Sequence, residues 1–577
     1  MIPCPNRPTD PSQRSVMENR RFFLIALIGV VLFFTYQAWQ QDYGPQAQPA
    51  VSTGAAPATA TVADVDVPVA TPGQTPAIAP TPDAGLGTAP ESRIIVDTDL
   101  VTAEISTEGG ELRRLALKDY SVTKKNPDEK FALLDDRDGH YFVLQSGLAG
   151  TTAQLITHKT RYTATQTEYH MAAGQDQLDV VLSYTDPSGY SARKIYRFTR
   201  GSYKIDLIHE LDNSSAADIV ASPYARLVRT NYQAGGEPRF ASTFTGVGFY
   251  EQKEGGDGYR YKKTKLDKLN KDAYEANQTG GWIAMLQHYF VAAILPPPDQ
   301  TASYTAKPTQ GQAYMAQYVG QTQTIAAGTQ VSFDTPLYLG PKLQDGLDDI
   351  VPGFELTLDY GILTPISEPL FWLLSHLHGW TGNWGFAIIL LTLLVKVMMY
   401  KLSEAQYRSM AKMKKFAPKI QELKERFGDD RERMQKAMME LYKKEGFNPL
   451  AGCWPLLVQF PVFISLYWVL LESVELRQAS FIFWLNDLTS PDPYYVLPVL
   501  FGVSMFIQQK LSGQQVADPT QQKIMQLMPI MLTAFFTFFQ SGLVLYWFVS
   551  NLIGIAQQWI ITRRLESADA AKAAVKR

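Results

Sequence analysis

A single lysine interrupts the apolar run Trp384-Gly-Phe-Ala-Ile-Ile-Leu-Leu-Thr-Leu-Leu-Val-Lys396-Val-Met-Met-Tyr400. A charge deep in a bilayer costs roughly 2.5–3.5 kcal/mol on insertion scales, and it persists where water or a partner reaches it. An ionisable group placed so reads as functional, facing a wet cavity. The competing reading is snorkelling: Lys396 is about a turn from Tyr400 and Lys401, and its stem is long enough to reach headgroups. Thr392 lies one helical turn earlier on the same face. That pairing, with Gln459, Ser465, Ser504, Gln508, Gln509, Asn551, Gln557 and Gln558 in later apolar runs, favours a hydrated groove. Some of these polar groups must serve as packing contacts between helices, each worth about 0.6–2 kcal/mol.

Other chemistries find no support. No aspartate or glutamate lies well inside an apolar run, which argues against a proton- or sodium-coupled transporter. There is no Walker A motif and no HExxH, so nothing supplies ATP hydrolysis or proteolysis. The two cysteines, Cys4 and Cys453, form no CxxC and no plausible disulfide. His376 and His378 are the one close histidine pair, and on a helix they point to different faces, so no metal site is expected. A net charge of −3 gives no hint of nucleic acid.

The elements that must position Lys396 follow from composition. The 577 residues suffice for two or three domains, and the 46% hydrophobic fraction is unevenly spread. Arg20-Arg21 precede an apolar run at 22–39, which places residues 1–21 in the cytoplasm. A cleavable signal peptide is the competing reading; the length of the run and its Tyr36 and Trp39 end favour an uncleaved signal anchor. Met17-Glu-Asn-Arg-Arg offers a second start, so residues 1–16 read as an upstream extension. Residues 44–90 are Pro, Ala, Thr and Gly, a disordered tether that would span roughly 40 Å r.m.s..

From 91 to 345 the pattern becomes short strands. Leu178-Asp-Val-Val-Leu-Ser-Tyr, Tyr203-Lys-Ile-Asp-Leu-Ile-His-Glu-Leu and Thr329-Gln-Val-Ser-Phe-Asp-Thr alternate with period two. Gly109-Gly110, Asp212-Asn213, Gly235-Gly236 and Gly255-Gly256 supply turns. A large β-sandwich outside the membrane follows, serving as scaffold or docking surface rather than as a sugar-binding module. Residues 358–380 carry Leu363, Ile366, Leu370, Leu373, Leu374 and Leu377 at helical spacing, with Trp372 and Trp380, and predict an interfacial amphipathic helix.

After the span at 384–400, residues 401–447 are strongly basic and therefore cytoplasmic. Met410, Met413, Ile420, Leu423 and Phe427 form one stripe, and Met434, Met438 and Leu441 another. Gly428 and Asp429-Asp430 stop and restart the helix, giving an antiparallel hairpin that Pro418 should kink. The methionines read as hairpin core, or as a surface that adapts to many apolar partners. Four further spans are expected at 450–471, 494–510, 524–540 and 543–562, followed by a cytoplasmic tail at 563–577; every short loop obeys the positive-inside pattern. The fold class is thus a polytopic α-helical membrane protein with six transmembrane helices, a β-sandwich domain and a helical hairpin.

Four stretches carry a resemblance: Asn448-Pro-Leu-Ala-Gly-Cys-Trp-Pro-Leu-Leu-Val-Gln-Phe-Pro-Val-Phe463, Ser473-Val-Glu-Leu-Arg-Gln-Ala479, Asp492-Pro-Tyr-Tyr-Val-Leu-Pro498 and Ser541-Gly-Leu-Val-Leu-Tyr-Trp-Phe-Val-Ser-Asn551. They are similar to the motifs of the YidC family of membrane protein insertases, Gram-negative type, over Met17 to about Leu565. The resemblance implies a bacterial inner-membrane insertase and chaperone, with a groove open to cytoplasm and lipid and a periplasmic β domain. It implies nascent membrane proteins, lipid, and the Sec translocon with its accessory subunits as partners, and no cofactor. Relatives with long basic tails use them on ribosomes; the tail here is short and weakly basic, which offers a ribosome little. By matching position, Lys396, Thr392, Gln459 and Trp547 take groove positions, and Phe463, Phe501 and Phe535 take substrate-slide positions. Lys396 stands where the family usually has arginine, and Trp547 where it more often has tyrosine. Lysine lacks the rigid guanidinium fork, so it needs water to stay charged. Two other functions stay open on the residues: a packing chaperone that inserts nothing itself, and a small-solute transporter, the latter disfavoured by the missing carboxylates and repeats.

Overall fold

The alternating strands pair as their spacing requires. In Lys204–Asn213, Ile205, Leu207, His209 and Leu211 turn inward while Asp206, Ile208 and Glu210 stay half-exposed. This strand pairs antiparallel with residues 329–338 of Thr329–Pro341, in the register Ile205↔Leu337 and His209↔Phe333. A computed structural model of the chain describes residues 68–71, 74–78 and 92–575, with breaks at 138, 151–154, 233–243, 254–257, 310–311, 359, 428–429, 445–453 and 513–518. All described residues belong to one unit, Val62–Arg577. The expected first span at 22–39, residues 1–21 and the glycine pairs at 235–236 and 255–256 lie outside the described residues.

Among the described residues, two sheets of nine and eleven strands build the β domain and enclose one shared core that includes Leu115, Leu144, Leu207, Leu227, Trp282 and Leu337. Pairing is antiparallel except between Arg93–Asp97 and Glu168–His170. Gly109 has φ +70°, and a Cβ there would lie 2.1 Å from the His158 carbonyl oxygen, so the turn needs glycine. Asp212 and Asn213 end a strand instead of making the turn: the Asn213 amide donates to Ala217 and Ile325 carbonyls and braces the residues that follow. Within the stretch read as a featureless tether, Pro68–Thr71 and Gln74–Ile78 pair as a two-stranded antiparallel ribbon. Val69 and Ile78 are residues with real strand propensity, and the Pro/Ala/Thr average of the segment conceals them.

Eight helices follow among the described residues. They are α1 (Thr364–Thr381), α2 (Trp384–Met398), α3 (Tyr400–Phe427), α4 (Arg431–Lys444), α5 (Trp454–Glu472), α6 (Val496–Ser512), α7 (Pro519–Phe536) and α8 (Ser541–Val575). α1 buries Ser367, Phe371, Leu374 and Leu377 and exposes Trp372 and Trp380. His376 is bonded to the Trp372 carbonyl, while His378 stacks on Trp384 at 4.0 Å, so the two imidazoles diverge. Asn383 caps α2 by accepting from the Gly385 and Phe386 amides. α2 stops at Met398, and the chain bends by 65° into α3. α3 runs unbroken through Pro418, and Asp430 accepts from the Arg433 amide to start α4.

Two helix ends differ from expectation. α7 begins at Pro519, where a proline is pre-organised for the first turn, and ends at Phe536. α8 does not stop at 562: Leu565-Glu-Ser-Ala-Asp-Ala-Ala-Lys-Ala-Ala-Val holds no breaker, so the expected tail continues as helix. By length and composition, Ser541–Ser567 is apolar enough to cross a membrane, and α2 with the start of α3 makes a second if the bent pair is one span. Val458–Glu472, Val496–Leu511 and Lys523–Phe536 are apolar but shorter than the ~20 residues a full crossing needs.

The contact between α6 and α7 is close. A Cβ at Gly502 would lie 1.9 Å from Thr533 Oγ1. Gly502→Val should therefore cost about 1–3 kcal/mol by overpacking. The expected result is a lower melting temperature of the purified protein with the β-domain circular dichroism unchanged.

Candidate functional site

Lys396 lies in the last turn of α2 and is half-buried. Its ammonium turns toward α5, donating to Gln459 Oε1 at 3.5 Å. The Gln459 amide donates in turn to Ser550 Oγ on α8 at 3.4 Å. Gln557, also on α8, donates to the Lys396 carbonyl at 3.4 Å. A polar chain thus joins α2, α5 and α8. Each link is near the outer limit of a hydrogen bond, the separation at which a bridging water competes with direct contact. Thr392 is fully buried, and its hydroxyl donates to the Ile388 carbonyl at 2.6 Å. It shares the face of Lys396 but forms no bond to it.

The Tyr546 hydroxyl on α8 faces Gln459, while among the described residues Ser465 Oγ, Trp547 Nε1 and Gln557 Oε1 have no hydrogen-bond partner. Leaving such a group unpaired and dry costs about 1–3 kcal/mol. Farther along, the Asn551 amide donates to Ser504 Oγ at 2.9 Å, linking α8 to α6.

The aromatic positions separate into two sets. Phe463 meets the Trp547 ring edge-on at 4.8 Å, and Trp547 also meets Phe501 and Phe536 at 5.9 and 5.7 Å. Phe501 is 1% exposed, so it backs the wall and offers no surface to slide on. The outward face of α6 is instead Val499, Leu500, Val503, Phe506 and Ile507. Phe535 is 40% exposed on α7, and Phe460 is 51% exposed on α5, one turn from Phe463. The sequence reading passed over Phe460, Phe536, Tyr546 and Ser550. Three-residue spacing from Phe463 was the signal for Phe460; nothing local distinguishes Phe535 from Phe536. Met434 and Met438 are half-buried on α4, while the side chains of Met410 and Met413 lie outside the described residues. Tyr407, near the start of α3, is buried against α8, where a Cβ at Gly554 would lie 3.2 Å from its hydroxyl. The root of the hairpin is therefore part of the bundle.

The other end of α5 is held by the β domain. His288 sits 2.8 Å from the Leu471 carbonyl, and Lys342 pairs with Glu472 at 3.7 Å. The Gln344 amide N–H donates to Glu475, and its side chain donates to Ser473. Arg477 donates to the Ser121 carbonyl at 2.7 Å and lies over the rings of Phe131 and Phe290. Lys124 donates to the carbonyls of Gln478 and Asn486. Asn383, the cap of α2, also donates to the Ser480 carbonyl at 3.2 Å. The segment 471–486 therefore ties the β domain to the ends of α2 and α5, two of the three helices that carry the polar chain.

Burial pushes the Glu475 carboxyl up from 4.5 to about 7, against the opposing bond from the Gln344 amide. A carboxyl raised on assembly favours its protonated form there. The stabilisation is complete below about pH 4.5 and is lost as pH rises through about 7. Protection of this junction against hydrogen exchange should fall across that window, and Glu475→Gln should flatten the dependence.

Comparison with known proteins agrees with this architecture. Residues 93–373 match the family model described as the YidC periplasmic domain, and residues 376–568 match the 60Kd inner membrane protein model. The membrane protein insertase YidC of Nitrosococcus oceani is 45% identical over 561 residues, covering 95% of this chain and 99% of that one. The same protein of Methylococcus capsulatus is 43% identical over 558 residues, covering 95% and 99%. A crystal structure of an active YidC insertase with its first transmembrane domain resolved aligns over 81% of this chain and 92% of that one, at 17% identity and a TM-score of 0.37. Identity of 43–45% to these two insertases over 95% of its length places the chain in the YidC family of membrane protein insertases.

Proposed function

We propose that this chain inserts and folds integral proteins of the bacterial inner membrane through a hydrated groove open to the cytoplasm, without hydrolysing ATP, alone or beside the Sec translocon. Six helices span in this reading: 22–39, α2, α5, α6, α7 and the first part of α8. Both termini and the α3–α4 hairpin are cytoplasmic, and α1 lies on the outer surface. The observation that carries the reading is the Lys396 ammonium turned inward to Gln459, which in turn bonds Ser550, near polar atoms that lack partners among the described residues. An inward ammonium disfavours snorkelling toward Tyr400. Unpaired donors and acceptors in a bundle are affordable where water fills the space between them.

The physics is barrier reduction without fuel. A substrate helix gains about 0.8 kcal/mol per CH₂ buried in lipid. The obstacle is its polar flank. A wet groove reaching partway, walled by helices with short apolar segments, shortens the dry path. Lys396 attracts an acidic flank, and the membrane potential favours outward movement of a negative charge by roughly 2.3 kcal/mol per 100 mV. Phe460, Phe463 and Phe535 offer the apolar helix a temporary surface.

The test replaces Cys4 and Cys453 by serine and places single cysteines at 396 and 459, both partly exposed, in the reconstituted protein. Both should react with a membrane-impermeant thiol reagent added from the cytoplasmic side. Inert cysteines at both positions would reject the hydrated groove.

A further inference from the structure

The strand Tyr259–Lys265 forms one edge of the nine-stranded sheet, pairing with Gly246–Gln252. This strand and the helical turn Leu266–Asn270 that follows are strongly basic. Arg260 pairs with Glu251 at 2.7 Å, and Asp267 is occupied by the Asn231 amide at 2.8 Å. Lys262, Lys265, Lys268 and Lys271 are all exposed, and no carboxylate among the described residues pairs with them. Lysine at a sheet edge often only discourages aberrant pairing. That role needs one or two charges on the strand and does not explain their continuation through Lys268 and Lys271.

Strand register locates this edge. Lys265 pairs with Gly246, Gly246 with Leu286, and the strand holding Leu286 turns at Gln287-His288-Tyr289 into Phe290–Ile294. At that turn His288 rests on the Leu471 carbonyl, in the last turn of α5. Two strand spacings, about 10 Å, separate Lys265 from the turn. Phe290 pairs with Pro341, so the same end of the sheet also releases the chain toward α1 and its exposed Trp372 and Trp380. The lysines therefore stand beside the point where the β domain meets the outer ends of the helices. If α5 spans the bilayer as proposed, the surface beside that point is the outer headgroup layer.

We propose that Lys262, Lys265, Lys268 and Lys271 dock the edge of the β domain on anionic phospholipid headgroups of the outer leaflet, resting on the insertase reading for the placement of α5. The chemistry favours a lipid surface over one protein ligand. Ammonium groups on flexible stems are point charges without the planar fork that fixes a single carboxylate. Spread over a strand and a turn, they suit a field of mobile phosphates. Each lysine near such a surface strengthens attraction by about fivefold.

The full chain, with Cys4 and Cys453 replaced by serine, is labelled with a fluorophore at Lys268→Cys and reconstituted into vesicles doped with headgroup-nitroxide lipid. One set is phosphatidylcholine, the other phosphatidylcholine mixed two to one with phosphatidylglycerol. Quenching should be at least twofold stronger in the anionic vesicles. It should fall to the neutral level in molar salt, where the screening length shrinks to about 3 Å, and in the Lys262→Gln, Lys265→Gln, Lys271→Gln variant. Equal quenching in the two membranes, or none lost in the variant, would overturn the proposal and leave the edge to a protein partner or to protection of the sheet. A fluorophore at Trp372→Cys separates the two readings. It should be quenched in both membranes; if it is not, the outer-surface placement itself fails, and the docking proposal with it.

Discussion

Lys396→Glu is expected to slow insertion of a substrate with an acidic flank by ten- to a hundredfold, while Lys396→Arg stays within about twofold of the parent. Two unit charges about 4 Å apart interact with roughly 4 kcal/mol at an effective dielectric of 20, and water in the groove lowers that further. Reversing one sign converts an attraction of about 0.7–1.4 kcal/mol into a repulsion of similar size, a change of about 1.4–2.8 kcal/mol, and each 1.4 kcal/mol is about tenfold in rate. The scaffold should tolerate the change. Gln459 accepts from lysine at 3.5 Å, and its amide can rotate to donate to a glutamate. A substrate with a neutral flank is the control and should be little affected. Protease protection of an inserted substrate in proteoliposomes measures both. Equal insertion of the acidic substrate by the parent and the Glu variant would remove the charge from the mechanism.

Arg477→Ala should uncouple the β domain from the helices. The guanidinium donates to Ser121 and Val122 carbonyls at 2.7 and 3.3 Å and lies 5.9 and 5.8 Å from the Phe131 and Phe290 ring centres. A charged donor contributes about 1.5–3 kcal/mol per bond, and a partly desolvated cation over a ring about 1–2 kcal/mol. A loss near 3 kcal/mol corresponds to about hundredfold faster hydrogen exchange at the junction, in the amides of 474–480. Arg477→Lys should recover only part of the protection, because an ammonium cannot reach both carbonyls and lie flat over two rings. The amides of Gln177–Thr185, in the β domain but remote from the junction, should exchange as in the parent. A variant that loosens there as well has lost the domain and not only its attachment.

Much of this site was legible in the residues. Lys396 announces itself because one charge in a long apolar helix has few physical explanations. Period-two alternation fixes which side of Lys204–Asn213 faces the core, because successive side chains on a strand must point to opposite faces. Gln459 stands out as a polar residue in an apolar run, Trp547 is marked by the resemblance alone, and Phe501, expected on the sliding surface, is buried. α6 is apolar nearly all round, so its composition cannot tell a face against α8 from a face against lipid. The continuation of α8 to Val575 was missed because the charged pair Arg563-Arg564 marks a membrane boundary, and a membrane boundary is not a helix end.

By itself the amino-acid sequence determined the strand-rich domain, the apolar helices, the basic hairpin and the one lysine out of place. These follow from spacing and composition within a few residues of one another. Only the tertiary structure decided that the Lys396 ammonium meets Gln459, that Ser550 and Tyr546 join the site, and that Lys124 reaches the 478–486 loop from 354 residues away. Such contacts depend on how helices rotate and strands register against distant partners. That balance is struck by packing the whole core at once, and no local window of the chain contains it.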